Sequence, residues 1–141
     1  RRMNMEFKEE ANTVVVIMKD GEELQKNLDL LVSTFKFIPM LTVASALGML
    51  KDIKLGFWNG SEYELHEFKG PVELLSISGI ITPNTDPSCH FHITIADRDG
   101  SASGGHLIEA RVYNTLEMVL IKSHIGVKRV PDGNLKKLGL I

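Results

Sequence analysis

Cysteine is nearly absent from this sequence. Cys89 stands alone, so no disulfide can form within the chain, which fits a reducing compartment. Long apolar runs are missing too: none approaches the roughly 20 residues that a membrane-spanning helix needs. The opening "RRMNMEFKEE" has basic residues but no apolar segment behind them, so it does not read as a signal peptide. The expected location is the cytoplasm, nucleoid association included. An excess of positive charge is also lacking. Sixteen basic residues face 18 acidic ones, for a formal net charge of −2, which argues against strong phosphate-driven DNA binding. The densest basic stretch, "KRVPDGNLKKL" (128–138), reads as a solvated tail. A phosphate loop is missing as well: "GSASGG" (100–105) lacks the closing G-K-[ST] and the helix that should follow. No repeat, linker or low-complexity segment divides the chain.

What is present suits one globular domain. The 141 residues, 43% of them hydrophobic, are enough for a real core. We expect a single domain over 1–141, with a core over about 14–123 and an irregular tail over 124–141. "NTVVVIMK" (12–19) is β-branched and apolar, hence a strand. Asp20 with Glu23 three residues later resembles a capping box, and Leu24, Leu28, Leu31 and Phe35 recur at helical spacing. That predicts an amphipathic helix over 21–35 whose stripe packs on a sheet. "FIPMLTVASALGML" (37–50) fits either a strand or a tight turn. "KDIKLGFW" (51–58) and "SEYELHEF" (61–68) flank Asn59-Gly60, a strong hairpin signal. "PVELLSISGII" (71–81) reads as a central strand, and "HLIEARVYN" (106–114) and "LEMVLIKS" (116–123) as two more. One helix among many antiparallel strands predicts a compact α+β fold.

The chemistry concentrates in "CHFHITIADRDGSASGGH" (89–106), which holds three of the five histidines. Alternation puts His90, His92, Thr94 and Ala96 on one face and Phe91, Ile93 and Ile95 on the other. "DRDGS" (97–101) suits a three-residue hairpin loop with Gly100 in the left-handed position. Asp97 then pairs with Ser101, and stepping outward places His92 opposite His106 on a shared face. His90 follows on that face, about 6.8 Å from His92 at a rise of about 3.4 Å per residue. Three imidazoles therefore converge on one side of a hairpin. Such a set suits zinc, with Zn–N near 2.0–2.1 Å and a fourth position left open. Other first-row metals fit the same donors. Gly104 and Gly105 permit either a close backbone approach or a second bulge that would shift the register. Cys89 has the wrong parity and reads as a small buried residue. His66 and His124 read as structural or exposed.

The motifs "GPVELLSISGII" (70–81), His-x-His, "ADRDG" (96–100), "GGHLIEARV" (104–112) and "LEMVLI" (116–121), in that order, resemble the PPC domain, also called DUF296, of plants and prokaryotes. "LGMLKDIKLGFW" (47–58) is similar to the segment before that family's core. The resemblance implies an α+β domain around an antiparallel sheet, assembled as a homotrimer. It also implies a metal-binding triad at His90, His92 and His106. Prokaryotic members are single domains to which DNA binding is ascribed by analogy with plant proteins. The plant AT-hook core Arg-Gly-Arg-Pro is absent here, and Arg1-Arg2 lacks the extended glycine and proline arm that minor-groove reading requires. The plant Gly-Arg-Phe-Glu-Ile stretch is replaced by Gly70, Pro71, Val72, Glu73 and Leu74.

Three functions follow. The first is a trimeric metal-binding regulatory module, with the metal structural or open to a small-molecule ligand. The second is a metal-dependent hydrolase, since zinc brings the pKa of bound water to about 7. The local carboxylates for it are Asp97, Asp99, Glu109 and Glu73. Parity turns Glu109 away from the histidines, and the aspartates are turn residues. The third is direct DNA binding, in which a trimer could join three weak basic tails into one avid surface.

Overall fold

Period-two burial builds most of the architecture. In β2 (Thr13–Lys19), Val14, Val16 and Met18 are fully buried and their neighbours face outward. The computed structural model describes residues 5–141. Its strands and one helix run β1 (Glu6–Glu10), β2, α1 (Leu24–Thr34), β3 (Met40–Trp58), β4 (Tyr63–Phe68), β5 (Val72–Ile81), β6 (Cys89–Ala96), β7 (Ala102–Ser123), β8 (Val127–Asp132) and β9 (Leu135–Leu140). The first seven strands form an antiparallel sheet in the order β1-β2-β7-β6-β5-β3-β4, and β3 also pairs with β7. Strands β3, β5, β6 and β7 thereby close into a ring, with β4 and the β1–β2 hairpin as extensions. The fold is α+β, mostly antiparallel sheet with one short helix. No helix among the described residues is long and apolar enough to cross a membrane.

The helical stripe behaves as its spacing predicts. Leu24, Leu28, Leu31 and Phe35 are each at most 1% exposed and join the sheet residues in one core. The start of the helix differs from the 21–35 reading. Glu23, in extended conformation, is the N-cap, and it makes no side-chain capping bond. Strand-like docking of residues 21–23 wins over an earlier start. Gly21 N–H donates to the Val112 carbonyl, Val112 N–H donates to Glu22, and Glu23 bridges to Arg111. The Asp20 carboxylate instead accepts the Asn114 N–H at 2.7 Å. Buried Glu22 accepts the Lys19 N–H at 2.6 Å and the Asn27 amide at 3.3 Å.

Residues Met40–Trp58, from the segments 37–50 and 51–58, form one 19-residue strand, and 106–114 and 116–123 lie in one 22-residue strand, Ala102–Ser123. Irregularities let β3 follow the ring. Its register against β7 shifts at four places, Asp52 takes a φ of 49°, and Gly48 a φ of 144°. A Cβ at Gly48 would fall on the Thr115 carbonyl oxygen, so β3 and β7 approach there as closely as backbones can. The Asn59-Gly60 turn is longer than the two-residue form. Trp58 pairs with Tyr63, and the Asn59 Oδ1 accepts the N–H groups of Ser61 and Glu62, both at 3.0 Å. The tail over 124–141 is not irregular. β8 and β9 pair from Val127–Leu140 to Asp132–Leu135, with Gly133 at a φ of 61° in the turn. Arg1 and Arg2 lie outside the described residues.

Candidate metal centre

The β6–β7 hairpin sets the site. Asp97 N–H donates to Ser101 O at 3.0 Å, Gly100 N–H donates to Asp97 O at 2.9 Å, and Gly100 has a φ of 85°. The Asp99 carboxylate accepts the Ser101 N–H at 2.9 Å, which holds its pKa below the usual carboxylate value. That turn pairs His92 with His106, in the register its chemistry predicts. No bulge interrupts the pairing at Gly104 or Gly105. These glycines serve close packing. A Cβ at Gly104 would lie 2.7 Å from Ile93 O, and one at Gly105 would lie 3.0 Å from Gly56 O.

Phe91, Ile93 and Ile95 fill the core at 3%, 3% and 2% exposure, so the histidines project from the outer face of the ring. Their ring centroids lie 4.9 Å apart for His90–His92, 5.2 Å for His90–His106 and 5.7 Å for His92–His106. One nitrogen from each falls within 4.8 Å of the others. Nitrogens on a shared tetrahedral zinc stand about 3.3 Å apart, as bond lengths of 2.0–2.1 Å require. Small side-chain rotations would have to bridge that difference. The donor set fits a metal in a second way. Nδ1 of His106 is buried and has no hydrogen-bond partner, an arrangement that native structures rarely leave unanswered. Burial, with His90 and then His92 adding repulsion, pushes the His106 pKa down to about 4. His90 is lowered by burial, then by His92 and by Arg129. Neutral imidazole is the form that ligates a metal.

Residues outside the hairpin complete the site. Gly56 pairs with His106 across β3, and a Cβ there would lie 2.8 Å from Tyr63 Cδ1. The missing side chain lets the Tyr63 ring lie flat and stack on His106, with centroids 4.4 Å apart and planes 20° apart. Trp58 in turn meets Tyr63 edge-on at 5.2 Å. A cavity of about 530 Å³ opens beside the cluster, lined by Tyr63, Cys89, His90 and His106 on one side and by the β8–β9 hairpin on the other. Cys89 is half-buried on that lining, and burial pushes its thiol up to about 11. The basic stretch is therefore not a freely solvated tail. Arg129 lines the cavity, with Nε and Nη2 buried and unpartnered, and burial lowers its pKa. Sequence reading missed Tyr63 and Arg129. The signal for Arg129 was the arginine within an alternating stretch beside Asp132-Gly133. Tyr63 had no local signal.

The remaining residues singled out in the sequence lie elsewhere. Glu109 pairs with Lys54 at 3.0 Å on the β3–β7 ladder. Glu73 is exposed on β5, beside Ala96. Asp97, Asp99 and Gly100 shape the turn, and His66 and His124 are exposed.

Residues 5–124 match the model of the Plants and Prokaryotes Conserved (PCC) domain. The chain belongs to this family, the one its motifs resemble. Solved structures share the PCC fold. A protein from Bacteroides thetaiotaomicron, named for a presumed DNA-binding role, superposes with a TM-score of 0.85 at 24% identity, covering 96% of this chain and 97% of its own. A plant- and prokaryote-conserved protein from Pyrococcus horikoshii gives 0.79 at 22%, covering 97% and 95%. A metal-containing protein from Archaeoglobus fulgidus gives 0.76 at 26%, covering 99% of both chains. The bifunctional protein GlmU of a Synechococcus strain is 36% identical over 93 residues. That match takes in 64% of this chain but spans only 14% of the GlmU length.

Proposed function

We propose that this chain is a homotrimeric metal-binding module of regulatory type, holding one zinc ion per chain on His90, His92 and His106. The observation that carries the reading is the convergence of three imidazoles, together with a buried, unpartnered Nδ1 on His106. Leaving such an atom unmet costs about 1–3 kcal/mol, which a metal bond would recover. Zinc there would act as a Lewis acid with one position open to a ligand. The Archaeoglobus protein of the same fold, named as metal-containing, supports the reading. The trimer rests on the family resemblance, and half-exposed leucines on β3 and β5 offer apolar surface for it. We read 1–141 as one working domain, its terminal hairpin included.

Neighbours of the same fold that are named for a presumed DNA-binding role favour a regulatory setting. The net charge of −2 and the missing AT-hook favour a route other than direct phosphate contact. A gel shift that weakens steeply with salt would instead establish direct binding. Hydrolysis is the second reading, favoured by the cavity open on the cluster. Its general base is the weak point, because Asp97 and Asp99 serve the turn and Glu109 pairs with Lys54.

Elemental mass spectrometry on purified protein tests the metal. About one zinc per chain is expected, lost in the variant combining His90→Ala, His92→Ala and His106→Ala. A wild type that neither carries nor takes up a divalent metal would end the proposal.

A further inference from the structure

Arg129 poses an electrostatic problem. Arg129 lines the same cavity as His90 and His106. Nε and Nη2 are buried without partners, and Nη1 makes only a long bond of 3.4 Å to the Lys136 carbonyl. Among the described residues no carboxylate lies within ion-pair distance of it. Asp86 is the only acid among the described residues of the lining, and it forms no ion pair with Arg129. Lys136 and Lys137 line the same wall, and of these only Lys137 is paired, to Asp132. Arg129 and Lys136 put positive charge on the cavity that a dication held by the histidines would share, which is unfavourable unless negative charge joins them there.

We infer that the cavity between the histidine cluster and the β8–β9 hairpin binds a small oxyanion-bearing molecule. Its oxyanion group would be held by Arg129 on one side and by an ion on His90, His92 and His106 on the other. The inference rests on the metal reading for one of its two anchors. A planar fork of N–H donors matches a carboxylate or a phosphate group, and the unpaired Lys136 adds a point charge. The volume of about 530 Å³ lies in the range of small-molecule sites and leaves room beyond the anionic group. Tyr63, Leu135 and Leu138 give that remainder an apolar wall. The hairpin, not the histidines, then decides which molecule enters.

Isothermal titration calorimetry of the zinc-loaded wild type with inorganic phosphate and with succinate is the test, alongside Arg129→Gln and Arg129→Lys. At least one anion is expected to bind. R129Q should weaken it at least tenfold, with zinc content unchanged by elemental analysis, and Arg129→Lys should recover part of the loss. Phosphate binding alone would assign a phosphate ligand, and succinate binding alone a carboxylate. Zinc content is measured separately, so loss of the metal reading is distinguishable. A protein that holds zinc yet binds neither anion, or whose R129Q variant binds as well as wild type, would overturn the inference.

Discussion

At the scale of single residues, the site depends on what is missing as much as on what is present. Gly56 has no Cβ, and that vacancy is where Tyr63 lies to stack on His106. Gly56→Ala should displace the ring and cost about 1–3 kcal/mol of stability by overpacking, read from the urea midpoint. His106 makes the metal-free protein sensitive to acid. Its folded pKa, at about 4, lies below the ordinary 6.5, so between those values the unfolded chain binds a proton that the folded chain does not. The stability it contributes is present above about pH 6.5 and fades as pH falls towards 4. Metal-stripped protein should therefore show a falling urea midpoint over that window, and His106→Asn should flatten the profile. An unchanged slope in that variant would remove His106 as the cause. The pairing of His92 with His106 was legible because turn chemistry within "DRDGS" is local. Tyr63 and Arg129 were not legible, because they reach the histidines only through strand pairing and packing that no nearby residue announces.

At the scale of elements, periodicity read the faces well and the boundaries poorly. Leu24, Leu28, Leu31 and Phe35 gave the helix stripe, yet residues 21–23 were lost to strand-like bonds with β7 that no capping pattern reveals. β3 was read in pieces because its bulges break the two-residue period, and only a partner strand shows that pairing continues through them. The terminal hairpin was missed because it packs little apolar side chain, although Asp132-Gly133 marked its turn. Two substitutions separate these effects. Leu28→Ala removes a fully buried stripe residue and should cost about 2–5 kcal/mol. Gly48→Ala meets both a left-handed φ of 144° and the Thr115 carbonyl, and should cost more than about 3 kcal/mol because backbone must move. Denaturant curves on the two proteins would rank them. A mild Gly48→Ala effect would mean that β3 and β7 can part locally.

At the scale of the whole molecule, the proposed trimer needs apolar surface. Leu47 and Leu75 flank the Gly48–Leu74 pair on β3 and β5 and are 47% and 51% exposed. Sedimentation velocity should give a trimer for wild type and a monomer for Leu47→Glu combined with Leu75→Glu. A variant still sedimenting as a trimer would move the interface elsewhere. The closed ring has a further effect, on the order of folding events. It joins Met40 to Ser123 and Gly56 to His106, contacts distant in sequence whose loop-closure entropy makes them slow to form. The β6–β7 hairpin is local, and a hairpin can form in about 1–10 μs. All three histidines are therefore gathered on the hairpin before the ring closes behind them. If these histidines hold zinc as proposed, the ion would clamp the hairpin in a chain still largely unfolded, and refolding followed by stopped flow should be faster with zinc than with a chelator.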